Sequence, residues 1–483
     1  MKEPRKLGLL ERKRYERRIR RRKARIKTTI VLMLVAIVLV FTCVKWKPWE
    51  KISFGSSVET DGDNKNNKNN KDDKENIRQT TMDEAERMAA SYGYDEAIEM
   101  LKEIEGWKED EEIQSMISDI KAEKATCVPV KIDEVTHIFY RSLIVDEKRA
   151  FGNQDRDSQA AANNQWMTTV DEFNAITRAM YDRGYVMVSI HDLYEVTTDE
   201  NGEEVWQPAE ILLPPDKKAF VLSLDDLSYY HSYDNYGHAT KFIIDDNGDV
   251  MNEYIDAEGN TLIGAYDCVP LMDQFVEEHP DASYKGAKGM IALTGYNGVL
   301  GYRTDVTYDL DHPNCDSQQR AWIETHPDFD LETERSEAKK VADAMKANGW
   351  EFASHTWGNI KVGDKNLSSI KTDTEKWKEN VEPIVGETDI IVFAHGQDLE
   401  DVGAYSKTNE KYQYFRSEGY RIFCNVDSHQ YSTYLGSDYM RQGRRNIDGY
   451  RIYYNANGSQ NNLSDLFDAS EVLDPDRPPV PEV

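Results

Sequence analysis

Short apolar runs alternate with helical patterns from about Val128 to about Tyr454. Strands that are joined by helices pair in parallel, so this alternation predicts an α/β fold, either a barrel or a large doubly wound sheet. The predicted strands are Thr136–Tyr140, Val186–Ser189, Ala219–Leu224, Lys241–Ile244, Gly289–Leu293, Trp350–Ala353, Ile390–Ala394 and Tyr420–Val426. The predicted helices are Val170–Arg183, Cys268–Glu278, Glu332–Asn348, Asp373–Val385 and Asn409–Glu418.

The run Lys218–Tyr230, KAFVLSLDDLSYY, ends a buried-strand pattern in two adjacent carboxylates, Asp225 and Asp226. They fall at the C-terminal end of the strand, where catalytic side chains gather in β/α barrels. Adjacent side chains on a strand point in different directions, so one can bind a metal while the other acts as a base. Two acids in a turn are also common in an acidic chain, which is the plainer interpretation.

The run Gly349–Gly363, GWEFASHTWGNIKVG, carries His355 just after the predicted strand Trp350–Ala353. A single His after a strand is usually structural, so its significance depends on reaching the same barrel end as Asp225 and Asp226. His and Asp with an open coordination position suit a divalent transition metal that activates water.

The order of these segments resembles the polysaccharide deacetylase family, which has a NodB-homology domain. The segments that carry the resemblance are VTHIFYRSLIVDEKRAF, TTVDEFNAITRAMYDRGYVMVSIHDLYEV and ILLPPDKKAFVLSLDDLSYY, and it extends from about Val128 to about Tyr454. It implies a distorted (β/α) barrel that removes N- or O-acetyl groups from polysaccharides in a metal-dependent reaction.

The resemblance also assigns roles to individual residues. Asp225 matches the family's catalytic base, Asp226 and His355 match metal ligands, and Asn359 falls where the family has its second ligating His. The implied cofactor is a divalent metal, zinc. Phe393–Gly396 matches a segment whose backbone N–H groups help to hold the developing oxyanion, and His395 within it is a candidate catalytic residue.

The chain departs from the family pattern at four places. The family's Thr-Phe-Asp-Asp-Gly reads Ser-Leu-Asp-Asp-Leu at 223–227, which loses the glycine that lets the chain turn closely. Asn359 is a neutral amide and therefore a poorer zinc ligand than imidazole. The family's opening Tyr-His pair is Tyr140-Arg141 here, and no Leu-x-His occurs near the C-terminus to supply the usual general acid. Three histidines could replace the missing imidazole or be ordinary polar residues: His395, His429 and His231. The alternative function is therefore a catalytically impaired relative that binds glycan or cell wall.

Five aromatic residues lie at or near the predicted strand ends. They could stack on sugar rings, or they could equally pack the top of the barrel. They are Tyr229, Tyr230, Tyr296, Tyr302 and Trp357.

The charge of the chain is divided unevenly. The whole chain has 59 Lys and Arg against 88 Asp and Glu, a formal charge of −29. Residues 1–27 hold 14 basic and three acidic side chains, so the remaining residues carry −40. This acidity argues against binding of nucleic acid or an anionic membrane surface by the body of the protein.

The basic segment 1–27 directly precedes an uncharged stretch, residues 28–44. This arrangement predicts one transmembrane helix, with the N-terminus in the cytoplasm and the body outside. A cleaved signal peptide is the competing interpretation, but Lys45, Trp46 and Lys47 after the stretch offer no small-residue cleavage site.

The composition and spacing of residues in the remaining segments predict the structure of each. Residues 45–80 are polar and predict a flexible linker. Residues 81–127 predict a helical stalk that resembles one tetratricopeptide-type helix pair and either packs on the next domain or binds a partner. Residues 128–455 form the deacetylase-like domain, and the Pro-rich segment 456–483 is a predicted C-terminal tail. The four cysteines outside the apolar stretch allow up to two disulfides.

Together these features predict a single-pass protein of the cell membrane with an extracellular hydrolase domain. The expected substrate is an N-acetylated polysaccharide, either peptidoglycan or another surface glycan.

Overall fold

The computed structural model describes residues 66–152, 154, 156–401 and 403–482. The basic segment 1–27, the predicted transmembrane helix 28–44 and linker residues 45–65 lie outside these residues. Within the described ranges, no helix is long and apolar enough to cross a membrane. The chain divides into two compact units, Met1–Lys71 and Asp72–Val483, and the second contains every strand described.

The strands are numbered along the chain. They are β1 Val128–Pro129, β2 Thr136–Tyr140, β3 Tyr185–Met187, β4 Tyr194–Thr198, β5 Glu204–Pro208, β6 Leu212–Leu213, β7 Lys218–Asp225, β8 Lys241–Ile244, β9 Val250–Ile255, β10 Thr261–Gly264, β11 Met290–Leu293, β12 Glu351–Ser354, β13 Ile390–Val392, β14 Ile422–Val426, β15 Thr433–Leu435 and β16 Met440–Asn446.

The α-helices cover both the N-terminal segment and the connections between strands. They are Asn66–Ala90, Tyr94–Lys102, Glu111–Lys124, Glu147–Phe151, Ser158–Trp166, Val170–Asp182, Cys268–Glu278, Ser317–Thr325, Leu331–Ala347, Leu367–Asn380, Glu382–Val385, Glu410–Ser417, Gly449–Ala456 and Ala469–Val472. The four cysteines within the described ranges are free thiols.

Seven parallel strands close into a barrel in the order β11-β12-β13-β14-β16-β2-β7, with β7 pairing back to β11. This closure confirms the (β/α) barrel and excludes the doubly wound sheet. Strand β7 also pairs with β3 along Lys218–Phe220, whereas β11 pairs with its last part, Ser223–Asp225. The C-terminal end of β7 therefore belongs to the closed part of the barrel.

The interior of the barrel changes from apolar to polar along its axis. Side chains of a strand alternate in direction, so every second residue points inward. Near the N-terminal ends of the strands these residues are apolar, among them Ala219, Met290 and Met440. They form one cluster with Met82 and Ile117 of the N-terminal helices. The helices therefore cover this end of the barrel, and the opposite end carries Asp225.

Strand β16, with the sequence MRQGRRN, is polar yet fully buried, and no hydrophobic pattern predicts it. Alternation along the strand turns Arg444 toward the barrel interior and Arg441 and Arg445 toward its outside. Each guanidinium meets one aspartate at 2.7 Å: Arg441 with Asp398, Arg444 with Asp225, and Arg445 with Asp465. These ion pairs compensate the buried charges, because an unpaired buried charge is strongly unfavourable.

Helix Asn66–Ala90 begins inside the segment predicted as a flexible linker, 45–80. Arg78 Nη2 lies 2.8 Å from Asp110 Oδ2 and 2.7 Å from Glu112 Oε2. Arg78 of this polar stretch thus pairs with two acidic residues at the start of the helix Glu111–Lys124. Residues 66–80 of the predicted linker are helical.

The described part of the segment predicted as a C-terminal tail packs on the domain. Leu466 and Phe467 are buried in the main core, and a short helix, Ala469–Val472, follows them. Arg477 is also buried, and its Nη2 lies 2.6 Å from Oε2 of the buried Glu172. Residues 456–482 therefore belong to the folded domain.

His191 joins two strands at the N-terminal end of the barrel. Its Nδ1 lies 2.6 Å from Oε1 of Glu351, the first residue of β12, and its Nε2 lies 3.0 Å from Oδ1 of Asp389, which precedes β13. Burial alone would lower the pKa of His191, but the hydrogen bonds to Asp389 and Glu351 raise this pKa to about 10.

This raised pKa predicts a pH-dependent contribution to stability. Folding favours the protonated imidazole, so the contribution is complete below the unfolded value of about 6.5 and is lost as the pH rises through about 10. We expect His191→Gln to lower the urea midpoint of unfolding clearly at pH 6 and little at pH 10. His429→Gln is the control, because the His429 side chain is 78% exposed. An equal loss for His191→Gln at both pH values would contradict the prediction.

Candidate active site

Asp225 ends strand β7 and points into the upper part of the barrel. Both of its oxygens accept hydrogen bonds from Arg444, at 2.7 Å from Nη1 to Oδ1 and 3.0 Å from Nη2 to Oδ2. Burial alone would raise the pKa of Asp225, but the charges around it, chiefly Arg444, hold this pKa below its usual value. Asp225 is therefore an ionised carboxylate of fixed orientation at neutral pH.

Asp226 turns away from the strand, and its backbone adopts a left-handed conformation with φ 63°. Its Oδ1 accepts a 2.6 Å hydrogen bond from the Tyr230 hydroxyl, which also lies 2.6 Å from Thr294 Oγ1. Its Oδ2 lies 3.7 Å from Nε of Arg141. Arg141 thus faces Asp226 from the end of β2, at the position where the family resemblance has a His.

His355 follows strand β12 and reaches the same end of the barrel. Its Nδ1 donates a 2.9 Å hydrogen bond to the Val392 carbonyl, so the lone pair of the neutral ring lies on Nε2. Nε2 lies 4.0 Å from Asp226 Oδ1. Asp226 and His355 therefore lie close together at this end of the barrel, as the sequence predicted.

These two side chains fit the requirements of a metal site in part. A backbone carbonyl that fixes the second ring nitrogen is the usual support of a ligating His. Two ligands of one tetrahedral zinc lie about 3.5 Å apart, close to the spacing between His355 Nε2 and Asp226 Oδ1. However, no group of three His, Cys, Asp or Glu side chains that could hold a metal occurs in the part of the chain that the structure describes.

Asn359 and His395 lie next to each other at the mouth of the barrel. His395 Nε2 is 3.2 Å from the Asn359 carbonyl oxygen, and the His395 side chain is exposed. Both residues have left-handed backbones, with φ 52° and 57°, as does Thr356 with φ 64°. Asn and His adopt this conformation more readily than most residues, but it is strained for the β-branched Thr356, and such strain often marks functional sites.

The other two candidate histidines, His231 and His429, form their hydrogen bonds away from Asp226 and His355. His231 lies between Asp234 and Tyr308, with its Nδ1 3.0 Å from Asp234 Oδ2 and its Nε2 2.9 Å from the Tyr308 hydroxyl. His429 pairs with Asp427, two residues before it. Neither histidine contacts Asp226 or His355 in the described residues.

The five aromatic candidates divide into two groups. Tyr229, Tyr230 and Tyr302 are buried and pack the top of the barrel. Tyr296 and Trp357 are half-buried, and the Tyr296 ring stacks on Tyr230 at 5.2 Å between centroids. Of the five, only Tyr296 and Trp357 keep part of their rings accessible, with centroids 6.4 Å apart. Tyr296 lies next to Tyr230, which binds Asp226, whereas Lys376 Nζ lies 4.1 Å from the Trp357 ring centroid.

The sequence interpretation missed Arg444, because its strand has no apolar periodicity. One signal could have indicated it: three arginines within five residues of a strongly acidic chain have to pair with carboxylates if they are buried. It also did not predict the approach of Arg141 to Asp226, although it noted the exchange of His for Arg.

The chain matches no family model and no curated protein. Among solved structures it is similar to the Streptococcus pyogenes deacetylase PplD in complex with acetate, at 15% sequence identity. The alignment covers 66% of this chain and 93% of that chain, with a TM-score of 0.34. The barrel itself is established by the strand pairing described above.

The buried Arg444–Asp225 pair predicts that the Arg444 single variant loses more stability than the variant in which both residues are replaced. We expect Arg444→Met to destabilise the fold by about 3–5 kcal/mol, because it leaves the Asp225 charge buried without its partner. Adding Asp225→Asn should recover part of this loss, since the remaining amide is neutral. Urea unfolding measures both effects.

Arg178→Met serves as the control for that experiment. Arg178 and Asp182 form an ion pair whose side chains are 55% and 53% exposed, and such pairs contribute at most about 1 kcal/mol. A loss in Arg444→Met no larger than in Arg178→Met would show that the buried pair does not stabilise the barrel.

Proposed function

We propose that this protein is a membrane-anchored, extracellular hydrolase of the polysaccharide deacetylase type that removes acetyl groups from an N-acetylated glycan. The observation that carries the proposal is the meeting of Asp225, Asp226 and His355 at the C-terminal end of a closed parallel barrel. That end is where catalytic residues of such barrels lie. The half-buried ring of Tyr296, which stacks on the Asp226 partner Tyr230, suits a sugar ligand.

In the proposed reaction, water adds to the acetyl carbon and Asp225 accepts the proton that the water loses. Arg444 keeps Asp225 ionised and oriented for this transfer. Backbone N–H groups of the turn around His395 stabilise the oxyanion that develops. The C–N bond then breaks, and the departing amine takes a proton for which exposed His395 is the proposed donor. The products are acetate and a free amino sugar.

Asp226, His355 and Asn359 are the proposed ligands of a divalent metal, zinc. When bound, the ion would polarise the acetyl oxygen and acidify a water molecule. Asp226 and His355 supply the stronger donors, and Asn359 contributes an amide.

The proposed function predicts that acetate release depends on Asp225. We expect the purified full-length protein to release acetate from chitooligosaccharide or peptidoglycan, and Asp225→Asn to lower the rate about 10²-fold or more. Asp465→Asn is the matched control. It removes the carboxylate that pairs with Arg445, which lies next to Arg444 on β16 but points to the outside of the barrel. An unchanged rate in a folded Asp225→Asn variant would refute the proposed role of Asp225.

A second candidate function is glycan binding without hydrolysis. Two features of the proposed metal ligands favour it. The Arg141 guanidinium already lies 3.7 Å from Asp226, and Asn359 offers a neutral amide in place of a stronger ligand. This candidate predicts that chitooligosaccharide binds, measured by calorimetry, while no acetate is released.

The proposed metal site makes a separate prediction about Asn359. Replacing its amide by imidazole in Asn359→His should raise the affinity for zinc about tenfold or more, because imidazole is the better donor. Calorimetric titration with zinc measures this change, and Asn201→His is the control, because Asn201 is exposed in the turn between β4 and β5. Equal zinc affinity in Asn359→His and the unmodified protein would argue against a metal at this position.

A further inference from the structure

A line of hydrogen-bonded side chains runs through the barrel interior to Arg444. Gln442 Nε2 donates to Thr433 Oγ1 at 3.0 Å, and Gln442 Oε1 lies 2.9 Å from His137 Nδ1. His137 Nε2 lies 2.9 Å from Ser223 Oγ, which in turn accepts from Arg444 Nη1 at 3.0 Å. We name Gln442, His137 and Ser223 the lumen chain.

The hydrogen bonds of the lumen chain have one consistent direction. The Gln442 oxygen can only accept, so the proton of a neutral His137 is on Nδ1. Burial is the main cause that lowers the pKa of His137 well below its usual value, so the ring is neutral. Its Nε2 therefore accepts the Ser223 hydroxyl proton, and the Ser223 oxygen is left to accept from Arg444.

Arg444 is thereby held from several sides. It is fully buried, and its Nε donates to the Asn425 carbonyl at 3.3 Å. Its Nη1 donates to both Ser223 and Asp225, and its Nη2 donates to Asp225 alone. Ser223 and Asp225 are two residues apart on β7 and therefore face the same side.

We propose that Ser223, His137 and Gln442 are positioning residues that fix the Arg444 guanidinium in the orientation that grips both oxygens of Asp225. The inference depends on the proposed function only for what Asp225 does in the reaction. The hold on Arg444 is a property of the folded barrel and can be tested without hydrolysis.

The neighbouring Arg445 offers a matched comparison. It also pairs with an aspartate, Asp465, and its Nη1 donates to the Thr136 hydroxyl at 3.0 Å. Thr136 precedes His137 on the same strand, but its hydroxyl supports the outer guanidinium. Thr136→Val thus removes an equivalent hydroxyl from a different Arg–Asp pair.

A double-mutant cycle on urea unfolding of the full-length protein tests the proposal. If Ser223 acts on Asp225 through Arg444, Ser223→Ala should cost less in the Asp225→Asn background. We expect the combined change in the unfolding constant to depart from additivity by about fivefold. The cycle of Thr136→Val with Asp225→Asn should be additive to within about twofold.

Additivity of Ser223→Ala with Asp225→Asn would overturn the proposal, because it would show that Ser223 supports only local packing. Gln442→Met gives a second cycle should Ser223→Ala fail to fold. This residue lies two steps from Arg444, and coupling of the same sign is expected. Additivity in that cycle would equally refute the proposed positioning role of the lumen chain.

A kinetic measurement separates this inference from the proposed function. Where acetate release is found, Ser223→Ala should lower kcat about tenfold or more with little change in KM, and Ser223→Thr should restore kcat because it keeps the hydroxyl. Equal kcat in Ser223→Ala and the unmodified protein would count against positioning. If the unmodified protein releases no acetate, the proposed hydrolysis fails, and the unfolding cycles alone decide whether the lumen chain positions Arg444.

Discussion

The ion pair between Arg444 and Asp225 is the contact on which the upper half of the barrel depends. Removing a carboxylate and a guanidinium from water costs several kcal/mol for each ion, and only close pairing with further hydrogen bonds offsets that cost. Here the pair joins Asp225, at the end of β7, to Arg444 on β16. Strand β16 completes the closure of the barrel between β14 and β2. Closure of the barrel and orientation of the candidate base are therefore parts of one arrangement.

The same pairing makes the site nearly neutral within a strongly acidic body. Asp225 faces Arg444 and Asp226 faces Arg141, so each carboxylate already has a cation nearby. Arg444 grips its partner through two hydrogen bonds, whereas Arg141 stands 3.7 Å from Asp226. Asp226 is thus the carboxylate that is freer to take another cation. A metal shared with His355 would lie at its Oδ1, whereas Arg141 faces its Oδ2.

The fold could be predicted largely from the sequence because most strands are continuous apolar runs. Six of the seven barrel strands were expected, each within two residues of its observed ends. Strand β16 was not expected, since its inward and outward faces both carry polar groups whose partners lie far away in the chain. Asp225, Asp226 and His355 were expected to converge because parallel strands end at one edge. Pairing across 219 residues, as between Arg444 and Asp225, leaves no local pattern to detect.

The apolar cluster that the N-terminal helices share with the lower barrel interior has a practical consequence for dividing this protein into fragments. A fragment that starts at Val128 would keep every barrel strand and every candidate active-site residue. It would nevertheless leave inward side chains such as Met290 and Met440 open to water at one end, an arrangement that favours aggregation. A fragment that keeps this cluster whole therefore has to include the N-terminal helices from Met82 onward, and these helices are as much a part of the barrel domain as its strands.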